Sequence, residues 1–131
     1  MRTATACIGA EKFEPLNEIV NVGFKVEATT RQRIEELLST IPVFVFMKGS
    51  KLTPQCGFSN NVVQILNALA VPFETFDVLS DGEIRQGIKE YSEWPTIPQV
   101  YVNGEFIGGS DILIEMYNSG ELREKLAVAL A

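Results

Sequence analysis

Between residues 30 and 131 the chain switches repeatedly between two hydrophobic periods, and the switches predict its elements. Ile34, Leu37, Leu38 and Ile41 recur at i, i+3, i+4 and i+7, one face of an amphipathic helix that Pro42 stops. "VFVFM", 43–47, is a continuous apolar run of β-branched and aromatic residues, the pattern of a strand covered on both faces. Beyond the polar loop "KGSKLTPQ", Phe58, Val62, Ile65, Leu66 and Leu69 predict the inner face of a second helix, which begins after Cys56 and ends at Val71-Pro72. "FETFDV" returns to strand alternation. Asp81 is then placed to cap a third helix with Ile84, Ile88 and Tyr91 on its inner face. Asn103-Gly104, between "QVYV" and "EFIG", predicts a hairpin, because both residues tolerate the positive φ of a type I′ turn. Ser110-Asp111 caps a further helix that Gly120 breaks, and "ELREKLAVAL" supplies the last amphipathic segment.

The predicted order is α-β-α-β-α-β-β-α-α. A β-α-β unit followed by a hairpin gives an α/β, thioredoxin-like plan, a four-stranded mixed sheet flanked by helices. Residues 1–28 carry no sustained apolar period and mix Glu11, Glu14, Glu18 and Glu27 with isolated hydrophobes, so they read as a loosely ordered extension before a domain spanning 29–131. The opening "MRTATAC" has the Arg, Thr and Ala content of an organelle presequence, although the acids that follow are untypical of one.

Composition narrows the chemistry. At 131 residues, 46% hydrophobic and 21% charged, the chain is one globular domain able to bury a core without disulfide staples. A net charge of -6 with no basic stripe argues against nucleic acid, and no apolar run is long enough to span a bilayer. Two cysteines, Cys7 and Cys56, are too few for a secreted disulfide framework, which points to a reducing compartment. The absence of histidine removes Ser-His-Asp and Cys-His catalysis and His-ligated metals.

What remains is the thiol of Cys56, in "PQCGFSNN". It stands where a helix begins, so unpaired backbone N–H groups and the positive end of the macrodipole favour a thiolate, and Lys48 and Lys51 in the preceding loop act in the same direction. The plainer alternative is a buried cysteine serving as a small hydrophobe, but Cys56 precedes the apolar period rather than lying inside it. Ser59 stands where a dithiol oxidoreductase has its resolving cysteine, so Cys56 must act with a thiol from elsewhere. Cys7 reads as an idle thiol of the extension.

Cys56-Gly57-Phe58-Ser59, Lys48, "WPTIPQ" at 94–99 and "GGSD" at 108–111 occur in one order, and together they resemble the monothiol glutaredoxins of the CGFS type. The resemblance covers about residues 30–131 and is strongest to plastid and cyanobacterial members. It implies glutathione as a ligand and a 2Fe-2S cluster held between two protomers, with Cys56 as the metal ligand and redox centre. A cluster of this kind is closed by four ligands, usually thiolates, so one Cys56 per chain would make a half-site completed by a second chain and two glutathiones.

By analogy with family positions, Lys48 and Arg85 would pair with the glycine carboxylate of glutathione, with Lys89 a helper one helical turn on. Ile97, before a cis Pro98, would offer backbone groups to the extended tripeptide. Ser110 and Asp111 would receive the γ-glutamyl end at a helix start. Taken singly, each of these residues is more simply a solvated cation or a cap. Ser110 departs from the family's usual Cys, which excludes an internal disulfide at that point, and Ile97 replaces an aromatic. The loop from Lys48 to Cys56 is five residues longer than the Lys-x-x-Cys spacing of dithiol relatives, a feature the family associates with cluster handling.

The resemblance therefore implies an iron-sulfur carrier that passes a cluster to acceptor apoproteins, works as a cluster-bridged homodimer, and also pairs with BolA-type proteins. Any enzymatic activity would be that of a weak glutathione-dependent oxidoreductase. The alternative function is deglutathionylation of proteins through Cys56, and a plainer one is a redox-inactive interaction domain. The expected location is the chloroplast stroma, with a cyanobacterial cytoplasm or the mitochondrial matrix as alternatives.

Overall fold

Val43–Met47 (β1) is buried at all five positions, which follows from its place inside a sheet with helices on both faces. In the computed structural model, which describes residues 27–131 together with the two-residue strands Arg2–Thr3 and Thr5–Ala6, β1 lies between Glu74–Asp77 (β2) and Gln99–Val102 (β3). The expectations for the extension and for Cys7 otherwise lie outside the described residues.

The main sheet has the order β2-β1-β3-β4, where β4 is Glu105–Gly108. β1 and β2 are parallel, joined through helix α2 (Gly57–Ala68), whereas β1-β3 and β3-β4 are antiparallel. Val102 pairs with Glu105 across Asn103 (φ 52°) and Gly104 (φ 82°), the two positive angles of the expected type I′ turn.

Alternation along β1 divides the core. Val43, Val45 and Met47 join Val62 and Leu66 of α2, Leu113 of α4 (Ser110–Ser119), and Leu122 and Leu126 of α5 (Glu121–Ala129). Phe44 and Phe46 face the other way, onto Tyr101, Ile34 and Leu38 of α1 (Ala28–Leu38), and Ile84 and Ile88 of α3 (Gly82–Ser92). Asp81 caps α3 by accepting from the Glu83 and Ile84 N–H groups, and Arg33 of α1 grips the same carboxylate, holding it below the usual carboxylate range.

Three expectations need correction. α1 ends at Leu38 with Ser39 as C-cap, so Ile41 packs on the core from outside the helix. A short 3₁₀ turn, Val78–Ser80, intervenes between β2 and α3, with Asp77 accepting from the Leu79 N–H. Phe58 is 60% exposed, because it sits in the first turn of α2, beyond the cover of the sheet.

Candidate functional site

Cys56 is the N-cap of α2, extended at φ -155° and ψ 139°, and half-buried. Burial pushes its thiol pKa up, but the neighbouring backbone N–H groups of Ser59 and Phe58, the Ser59 hydroxyl and the charge of Lys48 all favour the thiolate. The donors prevail, and the thiol titrates below its ordinary value. Ser59 is fully buried, and its Oγ accepts from the Lys48 N–H at 3.1 Å. The residue that removes the resolving thiol thus also ties the start of the loop to the helix that carries Cys56.

The Lys48–Cys56 loop closes on itself. Ser50 and Thr53 exchange backbone hydrogen bonds at 3.2 and 3.1 Å, Gln55 N–H donates to the Lys48 carbonyl at 2.9 Å, and Gly49 N–H donates to the Asp77 carboxylate at 2.9 Å. Gly49 has φ +88°, and a Cβ there would stand 2.5 Å from the Thr53 carbonyl oxygen and 2.6 Å from the Gln55 nitrogen. Gly49→Ala is therefore expected to open the loop, lowering stability by more than about 1 kcal/mol and raising the Cys56 pKa. Thermal unfolding and the pH profile of thiol alkylation measure the two effects.

Lys51 does not serve the thiolate. Its Nζ donates to the Phe73 carbonyl at 2.9 Å, pairs with Glu74 at 3.4 Å and lies over the Phe73 ring, so the side chain fastens the loop to the start of β2. Only the Lys48 part of the expected cationic assistance is seen at Cys56. Alkylation of Cys56 by iodoacetamide should persist below the ordinary thiol pKa and fall away only as acid protonates the thiolate through its lowered value. Lys48→Met is expected to move that inflection upward, whereas Lys51→Met leaves it in place.

Next to Phe58 opens a cavity of 380 Å³ whose wall contains Lys48, Arg85, Lys89, Ile97, Ser110 and Asp111. The residues singled out from sequence on four separate segments therefore share one space; Cys56 is not among its lining residues and precedes one of them, Phe58, by two positions in the chain. Three of the chain's 11 Lys and Arg residues line it against one carboxylate, Asp111, so its lining carries a positive formal charge although the net charge of the chain is -6. Among the described residues no carboxylate lies within ion-pair distance of these three, whereas Arg33, Lys51 and Lys125 are paired. The arrangement suits an anion-bearing ligand.

Ser110 is not the cap of α4. Gly109 is the N-cap and Ser110 the first helical residue, which leaves the first-turn N–H groups without a side-chain cap. The Ile97-Pro98 peptide bond is cis. Sequence reasoning missed the residue that holds this loop. Gln99 is fully buried, its Nε2 donates to the carbonyls of Trp94 (3.0 Å) and Thr96 (3.2 Å), and its Oε1 accepts from the Tyr101 hydroxyl (3.1 Å). A lone amide opening the apolar run "QVYV" was the available signal, since a buried amide must find partners. Trp94, Thr96 and Phe58 also line the cavity. Phe58 was counted as core because the helical period does not distinguish the first turn from the rest.

A glutaredoxin family model matches residues 43–107. An uncharacterized monothiol glutaredoxin ycf64-like protein of Synechocystis is 74% identical over 102 residues, 78% of this chain and 95% of that protein. Monothiol glutaredoxin-S7, chloroplastic, of rice is 55% identical over 100 residues, 76% of this chain and 60% of that protein. Among solved structures, reduced poplar apo GrxS14 superposes with a TM-score of 0.70 at 50% identity, covering 76% of this chain and 92% of that one. A buckwheat glutaredoxin–glutathione complex has a TM-score of 0.70 at 24% identity, over 79% of this chain and 92% of that one, a likeness of fold alone. With its thioredoxin-like fold, a single thiol at the start of α2 and relatives of this kind, the chain belongs to the glutaredoxin family, as a monothiol member of the cyanobacterial and plastid type.

Proposed function

We propose that this chain is a glutathione-dependent iron-sulfur carrier, which receives a 2Fe-2S cluster as cargo between two copies and passes it to acceptor apoproteins. The observation that supports it best is a thiolate at a helix start beside a cation-lined cavity, with no second thiol among the described residues to resolve it. No group of three or more Cys, His, Asp or Glu side chains among the described residues could hold a metal ion. Among the described residues Cys56 is the one thiol available to a cluster, and in this reading glutathione supplies the further thiol with charges that suit the cavity.

In this reading glutathione lies along the cavity. Its glycine carboxylate meets Lys48 and Arg85 with Lys89 nearby, its cysteine pairs with the backbone of Ile97, and its γ-glutamyl carboxylate faces the first turn of α4 at Ser110 and Asp111. Two Cys56 thiolates and two glutathione thiolates then complete the four ligands a 2Fe-2S cluster needs. A homodimer bridged in this way, heterodimers with BolA-type proteins, and action in a plastid stroma or cyanobacterial cytoplasm belong to the same proposal; the cyanobacterial and chloroplastic relatives favour the location.

The test is anaerobic reconstitution followed by visible absorption, iron, sulfide and glutathione analysis, and sizing of the same sample. Charge-transfer bands with two irons and two glutathiones per dimer are expected. A colourless monomer that turns over glutathione mixed disulfides would overturn the carrier reading in favour of the deglutathionylating enzyme. Lys48→Ala should weaken glutathione binding and cluster retention together, each about tenfold, the scale of one charge-assisted hydrogen bond. Loss of neither would remove Lys48 from the site.

A further inference from the structure

Asp77 ends β2, pairs in register with Met47 at the end of β1, and is half-buried. One of its carboxylate oxygens, Oδ1, accepts two backbone donors, the Gly49 N–H at 2.9 Å and the Leu79 N–H at 2.9 Å. Its main-chain carbonyl accepts from the Ser80 hydroxyl at 2.7 Å. Among the described residues no Lys or Arg nitrogen pairs with this carboxylate, so it serves as an acceptor rather than as half of an ion pair.

The bond to Leu79 is local. An Asp that accepts from the N–H two residues on opens a turn in the ordinary way, which accounts for the cap of the 3₁₀ turn Val78–Ser80. The bond to Gly49 spans 28 residues, and no cap requires it. Gly49 follows Lys48, where the loop to Cys56 begins, and the 3₁₀ turn leads through Asp81 into α3, which carries Arg85 and Lys89. The same oxygen therefore ties together the two arms from which the three cations of the cavity come. Lys and Arg side chains are long and flexible, so a fixed spacing of their backbone roots lowers the entropy lost when they close on one anion.

We propose that Asp77 is a positioning residue, whose Oδ1 holds the Lys48 arm against the Arg85 arm so that both reach a single anionic ligand and Lys48 stays beside Cys56. The ligand part rests on the glutathione reading above; the Cys56 part does not. What Asp77 contributes is acceptor geometry, two N–H groups on one oxygen, and not charge. Asparagine offers a carbonyl oxygen at the same reach and keeps both bonds. Serine still caps the turn through the local bond, but its oxygen lies one bond closer to the main chain and falls short of Gly49.

Asp77→Asn and Asp77→Ser, made in the full chain, are compared with the parent in two measurements. The first is the dissociation constant for reduced glutathione by titration calorimetry. The second is the pH inflection of Cys56 alkylation by iodoacetamide without glutathione, followed on the Cys56 peptide by mass spectrometry because the chain has two cysteines. The asparagine variant is expected to match the parent in both. The serine variant should bind glutathione about fivefold more weakly, the scale of one hydrogen bond, and its inflection should move upward as Lys48 leaves Cys56. Asp77→Thr, whose β-branched side chain suits a strand end, repeats the test at the same reach if the serine variant does not fold. A serine variant that binds glutathione as the parent does, or that keeps the parent's inflection, would reduce Asp77 to a turn cap and overturn the proposal. An asparagine variant as impaired as the serine one would overturn it in favour of charge. Glutathione bound by neither parent nor variants, with the inflection raised by serine alone, would sink the glutathione reading and leave the Asp77 bridge standing.

Discussion

Cys56→Ser is expected to yield a folded protein that retains no cluster and turns over no glutathione mixed disulfide. The fold survives because Cys56 is a half-buried N-cap, outside both core clusters, and serine is among the best N-cap residues. Thermal unfolding should therefore stay within roughly 0.5 kcal/mol of the parent, the scale of substitutions that touch no buried feature. The chemistry does not survive, because a serine hydroxyl remains protonated where the Cys56 thiol, held low by the Ser59 and Phe58 N–H groups, the Ser59 hydroxyl and Lys48, ionises. Absorption and iron content after reconstitution measure the loss. A Cys56→Ser protein that kept its iron and sulfide would remove this residue from the ligand set, and with it the half-site.

Gln99→Leu should damage binding and stability at once, although Gln99 does not line the cavity. Leucine is close to glutamine in volume, but it leaves the Trp94 and Thr96 carbonyls and the Tyr101 hydroxyl without their partner. Orphaned polar groups of this kind cost about 1–3 kcal/mol each when they stay buried. Allowing for partial access of water to the loop, a total of about 3 kcal/mol corresponds to a fall in Tm of roughly 10 °C for a domain of this size. Residues 94–98 form one wall of the cavity, so their displacement should lower glutathione affinity at least as much as Lys48→Ala does. Titration calorimetry below the transition separates the two effects: lower stability with unchanged affinity would make Gln99 a core residue without a positioning role.

Much of the architecture was legible because each segment has one period and a clear stop. β1 reads as a two-sided strand from five consecutive apolar residues, and the structure buries all five. Asn103-Gly104 reads as a type I′ turn from two residues that accept positive φ, and Asp81 reads as a cap from its place before an apolar period. The errors arose where periodicity carries no information about an element's edge. Ile41 continues the helical spacing beyond the helix, and Phe58 begins it before the sheet's cover does. The cap of α4 was misplaced by one residue, because Ser110-Asp111 is chemically a cap and only the backbone shows that Gly109 fills the position.

By itself the sequence determined the alternation that builds a two-faced sheet, the single thiol at the start of α2 and the set of cations available to an anion. Each of these depends on residue type at local spacing, which the chain carries wherever it folds. Tertiary structure decided which of two similar lysines in one loop serves the thiolate. Lys51 turns to Phe73 and Glu74 while Lys48 remains at the cavity, a distinction set by the hydrogen-bonded closure of the loop around Gly49. It also gave Ser59 a partner in the Lys48 N–H eleven residues away, and Gln99 two carbonyls of the cis-proline loop. Those contacts join segments that no local period links, because directional hydrogen bonds select partners by position in space, whereas hydrophobic patterning specifies only which face of an element turns inward.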